Sequence, residues 1–285
     1  MGEERREAPG GTIDWASGAG NAWVEIQDLT DRVYAGVEQR LTDEVAEGPG
    51  KRVLDVGCGT GVTTVAIAQR LGPESACTGV DVSDVMVEAA RRRAGAAGVS
   101  ARFELGDAGS REFEEGQFDC VVSRWGVMFF PDPVAAFSNL RKAAAGGRLR
   151  AVTWRTQLEN PFMTVAEEAA APLLEGFDVR PVDEAPGQFG LADEETTTGI
   201  LDAAGWTDVE MVSFDVICSF PESELVRYFG GLGPLARYLD GIPESDVPDN
   251  LVETGREAFT PYIDGGEVRF NAACWMIRAA APVGD

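Results

Sequence analysis

The chain has 285 residues, 44% of them hydrophobic, and a formal net charge of -24. Such acidity disfavours nucleic acid as a partner, because neutralising phosphates requires clustered Lys and Arg. Histidine, the commonest metal ligand and general base, does not occur, so we expect neither a metal site nor a Ser-His-Asp triad. No apolar stretch is long enough for a membrane span, and the charged amino terminus lacks the apolar core of a signal peptide. The five cysteines are scattered and odd in number, which favours reduced thiols over disulfides. These features predict a cytoplasmic protein.

The first 48 residues predict a tail followed by helices. Residues 1–12 are polar and Gly-rich, which predicts disorder. Apolar residues at helical spacing in 13–48 predict one or two amphipathic helices. These helices either pack on the edge of a sheet or form a lid in which Trp15, Trp23 and Gln27 cover a bound ligand.

The stretch 53–61, VLDVGCGTG, predicts a strand, a tight turn and the start of a helix. Its glycines at alternate positions allow positive φ angles and a close backbone approach, so that a ligand can bind the N–H groups at the helix N-terminus. These glycines are Gly57, Gly59 and Gly61. Asp55 interrupts an otherwise apolar strand, as an acid does where it meets a ligand or a cap. A dinucleotide motif would have a third glycine at Val62, so the pattern indicates a nucleotide-like ligand but only weakly NAD.

Strand and helix patterns alternate after this stretch, which predicts βαβ units and therefore an α/β fold with a parallel sheet. Strands are predicted at 52–56, 76–80, 101–105, 118–123, 148–154, 209–219 and 268–279. Helices are predicted at 61–71, 83–94, 133–144, 163–174, 193–204, 223–239 and 247–263.

A second acid follows the glycines at the distance expected of a ribose-binding residue. Asp81 ends an apolar strand about 20 residues past the glycine turn, where a carboxylate can accept both vicinal hydroxyls of a ribose. The alternative is an acid that caps a loop at the end of its strand.

The chain contains five motif-like stretches in this order: VLDVGCGTG, GVDVSDVM, ELGDAGS, FDCVVSRWGVMFFPDP and LRKAAAGGRLRAVTW. Together they closely resemble the class I S-adenosylmethionine (SAM) dependent methyltransferases. The likeness is to a bacterial small-molecule branch near the ubiquinone and menaquinone biosynthesis enzymes. It implies a Rossmann-like, doubly wound sheet of seven strands, mostly parallel with the last strand antiparallel, and helical lid insertions. It divides the chain into an N-terminal lid at 13–48, a SAM-binding core at 49–155, lid insertions at 156–191 and 221–265, and the rest of the sheet at 192–220 and 266–285.

The resemblance also implies site residues. Val82 and Met86 would enclose the adenine, Asp107 would accept from its amino group, and the Ala108 N–H would bind the ring. The implied cofactor-binding residues are Asp55, Gly57, Cys58, Gly59, Gly61, Asp81, Val82, Met86, Gly106, Asp107, Ala108, Ser123, Arg124 and Trp125. Arg124 would pair with a ligand carboxylate or with Asp55, and Cys58 is expected to be a packing residue. The predicted substrate pocket contains Trp15, Trp23, Met128, Phe129, Trp154 and Phe162, some of which could equally belong to the core.

The predicted function is direct in-line methyl transfer from SAM to a small, partly apolar metabolite, leaving S-adenosylhomocysteine (SAH). Without histidine, a general base would come from Tyr34, Glu159, Tyr228 or Tyr238, or the substrate would ionise by itself. Two alternatives stay open: a SAM-binding sensor or partner protein without catalysis, and an NAD(P)-dependent Rossmann oxidoreductase. The sequence does not specify the oligomeric state.

Overall fold

The structure, a computed structural model, describes residues 15–16, 18–48, 50–175, 177, 187–231, 233–240 and 248–283. Within 233–240 it describes the backbone but not every side chain, and Tyr238 is among the side chains that lie outside the description. The predicted disordered tail at 1–12 also lies outside the described residues.

The described strands form one sheet at the centre of the fold. They are β1 (Arg52–Val56), β2 (Ala76–Asp81), β3 (Ala101–Leu105), β4 (Cys120–Arg124), β5 (Arg148–Trp154), β6 (Thr207–Pro221), β7 (Ile263–Asp264) and β8 (Glu267–Ala280). Their order is β3-β2-β1-β4-β5-β8-β6, with β7 paired to β8. Strands β1 to β5 are parallel, whereas β8 runs antiparallel to both β5 and β6.

The predicted α/β, doubly wound sheet with an antiparallel strand is therefore confirmed, but the strand number is eight and not seven. The additional strand is β7, only two residues long, which turns into β8 through Gly265 and Gly266 at positive φ. A strand of two residues is too short to show alternation in the sequence. The first three residues of β4, Cys120, Val121 and Val122, are fully buried, which is why this part of the strand reads as an apolar run.

The helices follow the predicted pattern in the core and depart from it in the insertions. They are α1 (Gly18–Val33), α2 (Ala35–Ala46), α3 (Val62–Leu71), α4 (Asp84–Ala97), α5 (Pro133–Ala143), α6 (Val165–Ala170), α7 (Glu194–Ala203), α8 (Leu225–Gly231), α9 (Gly233–Asp240) and α10 (Leu251–Ala258). The helix predicted over 223–239 is divided, and Gly233 at the start of α9 has a φ of 83° that a continuous helix does not allow. The helix predicted over 247–263 ends at Ala258, shortly before Pro261, because a proline ring disfavours helical backbone at the residue before it.

Helix α1 meets helix α8, which belongs to the predicted 221–265 insertion, beside the loops that follow the parallel strands. Helix α1 packs against α4 of the core and against α8 of the insertion. On one side the Arg93 guanidinium donates to Asp31 at 2.6 Å, and on the other Arg227 donates to Asp28 at 2.5 Å. Helix α1 is thus held between the core and the insertion. Within the described residues no helix is both long and apolar enough to cross a bilayer.

Candidate functional site

The loops that follow β1, β2, β3 and β4 line one cavity of about 1380 Å³. Sites for single small ligands typically enclose about 300–1,000 Å³. The volume therefore suits two molecules side by side. One wall consists of the strand-end loops, and the other consists of α1 and the helices of the insertions.

The glycine turn after β1 forms the floor of this cavity, and its three glycines serve different purposes. Gly57 has a φ of 65°, and a Cβ there would lie 2.6 Å from the Cα of Gly126, so two loops meet backbone to backbone. At Gly59 a Cβ would meet only the Met86 sulfur at 3.8 Å, which leaves open space above the backbone for a ligand. Gly61 does not line the cavity: it lets α3 pack on α4, since a Cβ there would lie 2.7 Å from that of Ala90.

Cys58 lies within the turn as a buried thiol. A Cβ placed on Gly79 would come within 2.8 Å of the Cys58 sulfur, so the thiol fills the space beside β2. Burial, together with the nearby acids Asp55 and Asp81, raises the pKa of the Cys58 thiol well above its usual value. A thiol that stays protonated in such a place supports its interpretation as a packing residue.

Asp81 lines the cavity at the end of β2 with its carboxylate already oriented. One oxygen accepts from the Gly59 N–H at 2.8 Å and the other from the Ser83 N–H at 2.9 Å. Burial raises the pKa of Asp81, and these backbone N–H groups oppose the shift. Each oxygen keeps a further lone pair, so the carboxylate can also accept from ribose hydroxyls. Val82 and Met86 line the same wall.

Asp55, on β1, carries a buried oxygen that no described residue satisfies. Its Oδ2 accepts from the Thr64 hydroxyl at 2.5 Å, whereas Oδ1 is buried without a hydrogen-bond partner in the described structure. Burial raises the pKa of Asp55 to about 7, although Thr64 and the more distant Arg124 both favour the charged form. An unsatisfied carboxylate oxygen beside a cavity is an acceptor available for a ligand cation or N–H group.

The loop after β3 contributes a more exposed part of the wall. Gly106, Asp107 and Ala108 all line the cavity. The exposed Asp107 accepts from the Gly109 N–H at 2.8 Å and from the Ser110 hydroxyl at 2.7 Å. These local bonds fix the carboxylate in its turn and leave lone pairs for a donor such as an exocyclic amino group.

At the end of β4, three consecutive residues have different positions. The Ser123 hydroxyl lies outside the cavity wall, donates to Val56 O at 2.8 Å and accepts from the Gly126 N–H at 3.0 Å, so it positions the loop. Arg124 lines the cavity, donates to the Thr63 hydroxyl at 3.2 Å, and has no carboxylate of a described residue within 4.0 Å. Of the two alternatives expected for Arg124, the direct pair with Asp55 is therefore not formed. Trp125 is one of two described non-glycine residues with positive φ, at 66°, a conformation found preferentially at functional sites.

Aromatic rings form the deeper part of the cavity, which we call the aromatic chamber. It consists of Tyr34, Trp125, Trp154, Phe162, Tyr228 and Phe259. Trp125 stacks on Trp154 with ring centroids 4.4 Å apart, and Tyr34 meets the Trp125 ring edge-on at 4.9 Å. A second group lies apart from the chamber: Trp15 meets Trp23 and Phe129 edge-on at 6.1 and 5.4 Å. All six residues predicted for the substrate pocket line the cavity, namely Trp15, Trp23, Met128, Phe129, Trp154 and Phe162.

Three of the four candidate bases have described side chains, and their surroundings do not favour a role as base. Tyr34 and Tyr228 share a hydrogen bond of 2.8 Å between their hydroxyls, and burial raises the pKa of both phenols, so they stay protonated. Glu159 is absent from the cavity wall, and its pairing with Arg155 lowers the pKa of its carboxyl. Tyr238 cannot be placed, because its side chain lies outside the described residues.

Several cavity residues have no counterpart among the predicted ones. Thr60 and Thr63 follow directly from the glycine turn and could have been found by extending that motif. Glu167 of α6 and Gln188 lie in the 156–191 insertion, where neither periodicity nor spacing distinguishes a wall residue from a solvated one. Gln27, predicted for the lid, instead accepts from Arg93 at 3.0 Å and does not line the cavity.

Comparison with known proteins agrees with this geometry. Residues 53–147 match the family Methyltransf_25, described as a methyltransferase domain, and this range contains the four strand-end loops of the cavity. The match confirms the predicted resemblance to methyltransferases.

Similar proteins extend the likeness beyond that domain. Tocopherol O-methyltransferase, chloroplastic, of Arabidopsis thaliana is 36% identical over 160 residues, which cover 55% of this chain and 43% of that protein. Demethylmenaquinone methyltransferase of Staphylococcus aureus is 30% identical over 109 residues, 38% of this chain and 45% of that protein. The solved [4+2]-cyclase SpnF has a TM-score of 0.51 and 26% identity, covering 86% of this chain and 82% of the cyclase. The chain spans less than half the length of the two relatives.

Proposed function

We propose that the protein is a SAM-dependent methyltransferase that acts on a small, partly apolar metabolite. The observation that carries this proposal is the shared cavity: loops with the pattern of a SAM site form one wall, and an aromatic chamber formed partly by the lid segments forms the other. A volume of about 1380 Å³ leaves room for an acceptor beside the cofactor.

The cavity fits SAM in its charges and in its open space. The free Oδ1 of Asp55 suits the ammonium group of the methionine part, and Asp81 suits the ribose. The space above Gly59 admits the ligand backbone, while the aromatic rings that line the cavity can attract a sulfonium cation by about 0.5–2 kcal/mol. SAM supplies a methyl group that its sulfonium has already activated. The chain's own task is to orient the acceptor and exclude water.

The state of the tyrosines restricts the acceptor. Because Tyr34 and Tyr228 remain neutral, neither removes a proton from the acceptor at neutral pH. This favours acceptors that ionise by themselves, such as acidic phenols and enols, or carbon nucleophiles. The names of the two relatives specify small molecules, tocopherol and demethylmenaquinone, which supports a small-molecule acceptor for this chain.

The proposal extends to the setting in which the protein works. All five cysteines are free and buried, which supports a reducing compartment and hence a cytoplasmic location. The net charge of -24 supports an acceptor that is not a nucleic acid.

Transfer of tritium from methyl-labelled SAM tests the proposal against its alternatives. We expect SAH to raise the melting temperature, NAD and NADP to leave it unchanged, and label to enter a compound in a metabolite extract. Stabilisation by SAH without label transfer would favour a SAM-binding protein with another role, a possibility that the likeness to a cyclase supports. Stabilisation by NAD or NADP alone would favour the oxidoreductase.

The Asp81→Ala variant tests whether the effects come from the proposed site, and Asp202→Ala is its matched control. Asp81→Ala removes the ribose acceptor, so a variant whose circular dichroism spectrum matches that of the unmodified protein should show neither stabilisation by SAH nor label transfer. Asp202→Ala, an exposed residue of α7 outside the cavity, should behave as the unmodified protein does.

A further inference from the structure

The hydroxyl pair of Tyr34 and Tyr228 has one hydrogen more than it uses. The two oxygens are 2.8 Å apart, so one hydroxyl donates to the other. Each phenol carries one hydrogen, and one of the two is therefore committed to this bond. Neither hydroxyl has a second hydrogen-bond partner among the described residues. One O–H thus has no acceptor among the described residues.

This donor lies in apolar surroundings. Tyr34 is 4% exposed and Tyr228 is 6% exposed, and both line the cavity. Edge-on contacts join Tyr34 to Trp125 at 4.9 Å and to Trp154 at 5.8 Å. A donor that a ligand encloses without accepting from it costs about 1–3 kcal/mol. A ligand oxygen that accepts from it would remove that cost.

The pair also belongs to the two segments that close the cavity. Tyr34 lies between α1 and α2 of the N-terminal lid, and Tyr228 lies on α8 of the 221–265 insertion. A ligand held by the pair is therefore in contact with both lid segments. The edges of the stacked Trp125 and Trp154 rings lie beside Tyr34, and the Phe259 ring lies beside Tyr228, so aromatic side chains surround the pair.

We propose that the Tyr34–Tyr228 pair is the recognition site for an oxygen of an aromatic methyl acceptor, a carbonyl or an ionised hydroxyl, to which the pair donates one hydrogen bond. This inference rests on the proposed function, because it names the acceptor class of the same cavity. The neutral state of both phenols means that the pair donates a hydrogen bond and does not abstract a proton. It is a specificity element, and methyl transfer itself requires nothing further from it.

Two isosteric probes test the pair. 2-Acetonaphthone carries a carbonyl oxygen where 2-isopropenylnaphthalene carries a methylene group, so the probes differ in hydrogen bonding and hardly in shape. Their affinities are measured by equilibrium dialysis at saturating SAH. The unmodified protein should prefer the ketone by about tenfold, the value of one hydrogen bond to a buried donor.

Phenylalanine variants assign the preference to the pair. Tyr34→Phe and Tyr228→Phe each leave one phenol whose hydrogen is uncommitted, so each should keep most of the preference, whereas the double variant should lose it. Tyr262→Phe, which changes a tyrosine outside the cavity wall, is the control and should retain the preference in full.

The result that would overturn the inference is a double variant that still prefers the ketone, or a single variant that loses the preference as completely as the double. Equal affinities of the unmodified protein for the two probes, or no binding of the ketone, would also overturn it. Titration of SAH into the unmodified protein and every variant distinguishes failure of this inference from failure of the proposed function. If SAH binds with unchanged affinity, only the acceptor inference fails; if SAH does not bind the unmodified protein, the proposed function fails as well.

Discussion

The charge state of Asp55 should control cofactor affinity. Burial raises the pKa of this carboxyl to about 7, and its Oδ1 has no partner in the described structure. If the ionised carboxylate pairs with the ammonium group of the ligand, binding must favour the ionised form. Affinity for SAH should then increase with pH until the carboxyl is fully ionised.

The size of the effect follows from the pKa. With a pKa of about 7, roughly nine-tenths of the carboxyl is ionised at pH 8 and roughly one-tenth at pH 6. The dissociation constant of SAH should therefore be about tenfold higher at pH 6 than at pH 8. At pH 7, binding should release a proton from the fraction of Asp55 that is still protonated, which is less than one proton per SAH bound. Isothermal titration calorimetry in two buffers of different ionisation enthalpy measures this number.

Asp55→Asn removes the titrating group and provides the decisive comparison. Affinity at pH 8 should fall at least to the level of the unmodified protein at pH 6. The remaining pH dependence, to which the buried Asp81 can contribute, should be clearly smaller than that of the unmodified protein. Asp202→Asn should leave both affinity and pH dependence unchanged. An SAH affinity that is flat between pH 6 and pH 8, or equally pH-dependent in Asp55→Asn, would refute the reasoning.

Three further predictions concern stability and are measured by thermal and urea unfolding without ligand. Because burial raises the Asp55 pKa from 3.8 to about 7, ionisation of this carboxyl disfavours the folded state, by an amount that grows between these pH values and reaches about 4 kcal/mol above them. Asp55→Asn should therefore be more stable than the unmodified protein at pH 8 and nearly equal to it at pH 4, and a larger gain in stability at pH 4 than at pH 8 would contradict the prediction. Gly57→Ala should destabilise the protein by more than about 1–2 kcal/mol, because Gly57 has a positive φ and a Cβ there would meet the Gly126 backbone, whereas Gly95→Ala, on α4 with open space around the new Cβ, should stabilise it by about 0.5–1 kcal/mol. Equal effects of the two substitutions would contradict the close approach at Gly57. Phe137→Ala in the core should cost about 3–5 kcal/mol, and Leu158→Ala, at 92% exposure, should cost almost nothing.

Local sequence patterns determined the core of the fold and one wall of the site. The strands at 52–56 and 148–154 have the predicted bounds, because buried strands flanked by turn residues are defined by their own composition. Gly57 and Asp81 were identified for a similar reason: a positive φ and a strand-end acid are requirements of the local backbone. Such a motif can be recognised from neighbouring residues alone, because it does not depend on residues that are distant in the sequence.

Only the tertiary structure decided the other wall. Tyr34 and Tyr228 are 194 residues apart, and no local pattern shows that their hydroxyls meet. Glu159 and Glu167 look alike in the sequence, yet the first pairs with Arg155 outside the cavity wall and the second lines the cavity. The physical reason is that a lid helix needs only an apolar stripe to form, while the partner of each side chain depends on how the lid packs on the sheet. Burial, which sets the pKa of Asp55 and keeps the tyrosines neutral, is likewise a property of that packing and not of the residues themselves.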